Sequence, residues 1–256
     1  MNRNRSKIRY ITFVVAVVAT VMIFVYSEQV LTSISRTMGV SALSENTAKS
    51  VPKHIFCYGD SLTAGTVPGT PVLHPYAAFL EKNMKILDSN VDVKVDWIGH
   101  PGWTASSMVE HQDLKRALKR SEGVNGYSLA VILAGTNDLG YAFQMQSDED
   151  KVAEKITESV VALHKLAHEE GVPTLAIAIP DSKFQAHYPK AKSIARKLNQ
   201  NIESWCTQHE DMTSFFDFPF GWKENDEKWG KDGLHFTEEG YFEIAKHLAP
   251  IIYMNT

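Results

Sequence analysis

Residues 129–134 read LAVILA, and residues 135–138 read GTND. Six apolar residues in a row, at odd and even positions alike, describe a strand covered on both faces. Such strands belong to parallel sheets. Residues 174–179, TLAIAI, have nearly the same character. Three further short apolar runs, 54–58, 93–98 and 214–218, are strand candidates. Longer amphipathic stretches lie between and beyond them, at 75–87, 148–170, 187–209 and 237–250. In the first, Tyr76, Phe79, Leu80 and Met84 form a stripe. In the second, Val152, Ile156, Val160, Leu163 and Ala167 share one face, and Gly171 with Pro173 supplies the stop. Strands alternating with helices imply right-handed crossovers and helices on both faces of the sheet. The expected fold is α/β: a three-layer α/β/α sandwich around a central, mainly parallel five-stranded sheet of flavodoxin-like type. It occupies residues 52–256, a suitable length for one domain.

In an open parallel sheet, ligands bind beyond the carboxyl ends of the strands. The first strand candidate is followed by Gly59-Asp60-Ser61-Leu62, and the second by Gly99-His100-Pro101-Gly102. The third is followed by Gly135-Thr136-Asn137-Asp138. The fifth leads, after a loop, to Asp232-Gly233-Leu234-His235. Four segments distant in sequence thus open onto one rim.

Together these motifs resemble the SGNH, or GDSL-type, serine esterases and lipases. The resemblance spans about residues 52–252 and rests on four motifs in order, which is far more specific than one GDSL. It implies the SGNH hydrolase version of the sandwich. It also implies an oxyanion hole made by the backbone N–H of Ser61, the backbone N–H of Gly102 and the side-chain amide of Asn137. The His100-Pro101 pair departs from the small and amide residues often seen in the second block.

The same chemistry follows from residue types. A serine hydroxyl becomes a useful nucleophile when a base takes its proton. His235 suits that role, because imidazole titrates near neutrality. Asp232, three residues earlier, can hold the other ring nitrogen and stabilise the imidazolium. Ser61, Asp232 and His235 are therefore the expected catalytic set. Asp60 and Asp138 are expected to hold loops by hydrogen bonds. The Gly-X-Ser-X-Gly elbow of the α/β-hydrolases is missing, and the order Ser, Asp, His with the last two only three apart differs from theirs.

Specificity is expected in the loops 66–74, 181–188 and 218–229. Trp103, Trp222 and Trp229 are candidates for the wall of an acyl or sugar pocket, with packing of the loop as the alternative. No long apolar lid segment is evident, which points to short-chain or acetyl esters. An acyltransferase or carbohydrate O-deacetylase would use the same triad. From other classes come a membrane-tethered binding protein with a dead site and a flavodoxin-like nucleotide binder. The intact Ser61, Asp232 and His235 oppose the former. The lack of a glycine-rich phosphate loop, and the charge of Asp60 at the first turn, oppose the latter.

The chain has 256 residues, 44% of them apolar and 22% charged, as in ordinary globular proteins. Its net charge of -4 is uneven. Arg3, Arg5, Lys7 and Arg9 make residues 1–9 a basic tip, so the remainder is acidic and nucleic acid is not an expected partner. Residues 11–26, ITFVVAVVATVMIFVY, carry no charge. Residues 10–26 therefore read as a signal anchor or a cleaved signal peptide, with 27–51 as linker and an exported body. The partners expected are the membrane, through this segment, and a small-molecule or glycan ester substrate. Cys57 and Cys206 make no disulfide framework, and Cys57 reads as a buried free thiol. No zinc-type Cys/His spacing is present, and no cofactor or metal is expected.

Overall fold

A computed structural model describes residues 52–120, 126–143 and 148–256. The expected basic tip, anchor and linker, residues 1–51, lie outside the described residues. Among the described residues no helix is long and apolar enough to cross a membrane.

The five strands are β1 (Lys53–Asp60), β2 (Val93–His100), β3 (Leu129–Leu133), β4 (Thr174–Ile177) and β5 (Thr213–Phe216). They lie in the order β2-β1-β3-β4-β5, and every pairing is parallel. The helices are α1 (Ser61–Ala64), α2 (Tyr76–Leu87), α3 (Ala105–His111), α4 (Asp113–Arg120) and α5 (Thr136–Phe143). They continue with α6 (Glu149–His168), α7 (Lys183–His187), α8 (Pro189–Gln208) and α9 (Glu238–Asn255).

The pleat of β1 sorts its side chains between two cores. Phe56 and Tyr58 face a cluster with Met108, Leu163, Ile194 and Leu198, from α3, α6 and α8. Ile55 and Cys57 face the opposite cluster, with Leu80, Met84, Ile244 and Leu248, from α2 and α9. This is the alternation of a strand buried on both sides. Cys57 is fully buried, and burial pushes its thiol up to about 12, which makes it inert.

The expected helix at 187–209 is α8, Pro189–Gln208, and the short α7 ends just before it. Ser182 caps α7, its Oγ accepting from the Gln185 N–H at 3.4 Å. Tyr188 is extended (φ -121°, ψ 97°), and Pro189 opens α8. A residue before proline avoids the helical region, and proline suits a helix start. The last helix runs past its expected end. It continues through Pro250, an expected stop, to Asn255. Proline removes one helical hydrogen bond, but Leu248, Ala249 and Ile252 are buried around it. Their burial outweighs the local cost.

The connection from β1 to β2 steps one way along the sheet, and that from β2 to β3 steps back past β1 to the other side. The crevice expected of such a switch point lies between the carboxyl ends of β1 and β3. Ser61 and Thr136 begin helices there.

Candidate active site

Asp60 ends β1 and caps α1, its Oδ1 accepting from the Leu62 N–H at 2.9 Å. This fixes Ser61 as the first helical residue, where backbone N–H groups lack intrahelical partners. Ser61 is 6% exposed, so its hydroxyl sits at the floor of the crevice.

The segment carrying Asp232 and His235 is a loop closed at its base. Trp229 and Phe236 form an antiparallel bridge. Inside it the Gly230 N–H donates to His235 O at 2.8 Å, and the Gly233 N–H donates to Gly230 O at 2.9 Å. Asp232 Oδ1 accepts from the N–H groups of Leu234 and His235, both at 3.0 Å. Its Oδ2 lies 2.7 Å from His235 Nδ1. His235 Nε2 lies 2.9 Å from Ser61 Oγ. The three side chains separated by 174 and 3 positions in sequence thus form one hydrogen-bonded line.

The charges suit this arrangement. Partial burial pushes the Asp232 carboxyl upward, but the His235 ring and two backbone N–H groups outweigh it and hold the carboxyl below its usual range. An ionised carboxylate only accepts, so Nδ1 carries the proton and Nε2 is left to receive one from Ser61. Asp60 behaves oppositely. Burial pushes its carboxyl up to about 7, against the Leu62 N–H bond, and the nearby Asp138 adds to the rise.

The second and third motifs are pinned to each other. The Trp103 N–H donates to His100 O at 3.1 Å, closing a turn with Pro101 second and Gly102 third. Gly102 has φ +81°, the left-handed value that the third position of a type II turn requires. Asn137 Nδ2 donates to Trp103 O at 2.9 Å, and Asp138 Oδ2 accepts from the Ala105 N–H at 2.8 Å. One amide hydrogen of Asn137 is thereby committed and the other remains for a ligand. Gly99 has a different duty. A Cβ there would stand 2.3 Å from Ala64 N, so its glycine allows α1 to lie against β2.

The three tryptophans do not converge. Trp229 is buried with Phe218, Phe220, Phe236 and Tyr241, and it packs the loop that carries the triad residues. Trp103 stacks on His100 at a centroid distance of 4.0 Å and meets the tilted ring of His111 at 4.2 Å. Trp222 sits beside Gly233, its Nε1 3.1 Å from where a Cβ would stand, and near the ring of His187. None of them lines the cavity next to the triad. That cavity, about 430 Å³, lies between α5 and α7 and reaches Asn137 and Asp232. Its apolar wall is Leu139, Tyr141, Phe184 and Leu234. Sequence spacing carried no signal for these four, since three sit on helices too short to show a period and Leu234 lies in a loop. A larger groove, about 670 Å³, runs over Glu154, Lys197 and Trp205 and shares no residue with the triad. The titratable constellation rather than groove size locates the site. Among the described residues no three His, Cys, Asp or Glu side chains group as metal ligands.

The sequence matches the model of the GDSL-like lipase/acylhydrolase family over residues 57–241. The chain belongs to that family. Residues 57–241 take in all four rim motifs. Solved structures agree on the fold. The aryl esterase of M. smegmatis is 19% identical with a TM-score of 0.60, over 80% of this chain and 100% of that one. Est24, a carbohydrate acetylesterase from Sinorhizobium meliloti, is 18% identical with a TM-score of 0.57 over the same shares. TesA is 18% identical with a TM-score of 0.60, again over 80% and 100%. No curated protein sequence matches the chain significantly. As a member of the GDSL-like lipase/acylhydrolase family, the protein is a hydrolase.

Proposed function

We propose that the protein is a carboxylic ester hydrolase working through an acyl-Ser61 intermediate, with short-chain or acetyl esters as substrates. The observation that carries this is the line Asp232–His235–Ser61, at 2.7 Å and 2.9 Å. His235 Nε2 takes the Ser61 proton as Oγ bonds to the carbonyl carbon. The resulting oxyanion meets the N–H groups of Ser61 and Gly102 and the free amide hydrogen of Asn137. Collapse breaks the bond to the alcohol, which leaves with the proton from His235. Water then attacks the acyl-enzyme by the same steps and restores Ser61.

The cavity between α5 and α7 receives the acyl group. Its volume of about 430 Å³ is toward the small end for ligand sites. Gly140 lines it, and a Cβ there would meet nothing within 4 Å. Gly140→Leu is therefore expected to fill the cavity without disturbing α5. Turnover of a series from acetyl to octanoyl p-nitrophenyl esters tests this, with Ser61→Ala as control. Wild type should prefer the short esters, and the variant should lose butyryl turnover more than acetyl. An unchanged chain-length profile in the folded variant would remove the cavity from the mechanism. Residues 10–26 carry the catalytic body out of the cytosol, a proposal supported by the uncharged run 11–26 behind four basic residues.

A further inference from the structure

The His100-Pro101 pair, the point where the chain departs from its resemblance, has a structural partner. His100 Nε2 lies 2.5 Å from Oδ2 of Asp113, the first residue of α4. The other carboxylate oxygen, Oδ1, accepts from the hydroxyl of Tyr58 at 2.6 Å. Tyr58 is fully buried in β1 and meets the His100 ring edge-on, with centroids 5.7 Å apart. The imidazole is thus held in its plane and at its tip. Its upper face is the platform for Trp103, stacked at 4.0 Å with 11° between the ring planes.

This stack joins the two ends of the turn that presents Gly102, since His100 and Trp103 are its first and last residues. The carbonyl of Trp103 also holds Asn137 at 2.9 Å. Two of the three proposed oxyanion donors therefore hang from one strut, which runs from Tyr58 through Asp113 and His100 to Trp103. A turn held by its backbone bond alone could rock about Gly102. A donor displaced by a fraction of an ångström loses much of its effect on a developing charge.

We propose that Asp113 and His100 are positioning residues for the oxyanion hole, with Asp113 acting through the His100 ring. This rests on the ester-hydrolase assignment above. Neither residue touches substrate. Their loss should lower kcat, where the oxyanion matters, and leave KM nearly untouched.

The test uses the purified full chain, p-nitrophenyl acetate, and the variants Asp113→Asn, His100→Ala, their double, and Tyr58→Phe. Asp113→Asn is expected to lower kcat about tenfold and His100→Ala up to about a hundredfold, with KM within roughly twofold of wild type. The double variant should be no slower than His100→Ala alone, because both act along one path. Labelling by a fluorophosphonate, which also builds charge on an oxygen, should slow by the same factors. Should Asp113→Asn fail to fold, Tyr58→Phe keeps the ring packing, removes one bond to Asp113, and is expected to lower kcat severalfold. Unchanged kcat in a folded Asp113→Asn or Tyr58→Phe chain overturns the proposal, as does a double variant whose losses multiply. The Ser61→Ala control separates the two levels. If wild type is active and Ser61→Ala is dead, such a result removes the positioning role alone. If wild type is inert or Ser61→Ala retains the rate, the hydrolase assignment falls and this proposal falls with it.

Discussion

At the scale of the residue, two aspartates near Ser61 have opposite electrostatic settings. Asp232 is held ionised by three hydrogen-bond donors, as the proposed base-orienting role requires. Asp60 is fully buried and pushed up to about 7. Its sign follows from linkage. The unfolded carboxyl loses its proton near 3.8, whereas the native one keeps it to about 7. Rising pH across that window therefore removes stability from the native state. Asn at position 60 keeps the oxygen that caps Leu62 and does not titrate. The stability of Asp60→Asn relative to wild type, from urea unfolding, should rise with pH across this window and then level off. Parallel curves would show that Asp60 is ionised throughout. The four rim motifs were readable because each is a run of consecutive residues, three of them at the end of an apolar strand and the fourth beyond a loop. The His100–Asp113 contact was not. It joins residues 13 apart through two elements whose packing no spacing records.

At the scale of the element, the long helices and the fully apolar strands were legible, because their periods repeat often enough to stand above noise. The face Val152, Ile156, Val160, Leu163 and Ala167 on α6 is buried throughout. The short helices α3, α4 and α5 escaped, since two turns show too little of a period. All five strands were misbounded by one or two residues at an end. Thus β1, expected at 54–58, runs Lys53–Asp60, because pairing can carry a strand past its apolar run. The close approach of α1 to β2 is a feature of this scale too. It needs no side chain at position 99, where a Cβ would stand 2.3 Å from Ala64 N and 2.6 Å from Ala64 Cα. Backbone cannot step aside as a flexible side chain can. Gly99→Ala should therefore cost about 1–3 kcal/mol by overpacking and displace the serine at the head of α1. Urea unfolding and esterase assay on the same preparation check both effects. A variant as stable and active as wild type would mean that α1 shifts freely.

At the scale of the whole molecule, the sheet separates a chemical end from a structural one. Ser61, Asp232 and His235, the proposed triad, gather where the strands finish. At their beginning, His164 of α6 is fully buried, with Nδ1 2.8 Å from Thr174 Oγ1 at the start of β4. Burial pushes its pKa down to about 3, and nearby His168 adds to the fall. The native ring stays neutral while the unfolded one takes up a proton below 6.5. Stability from this group is thus present above about 6.5 and is lost progressively toward about 3. His164→Asn should be less stable than wild type at neutral pH, with a gap that narrows as the pH falls. A constant gap would show that the buried ring protonates in place.

The central claim is that Ser61 is the nucleophile of this assembly. Reaction of the purified full chain with a fluorophosphonate, followed by peptide mapping of the adduct, tests it most directly. The expected result is one adduct, on the peptide containing Ser61, lost in Ser61→Ala and strongly slowed in His235→Ala. A folded wild-type chain that takes no label, or takes it on another residue, would contradict the assignment.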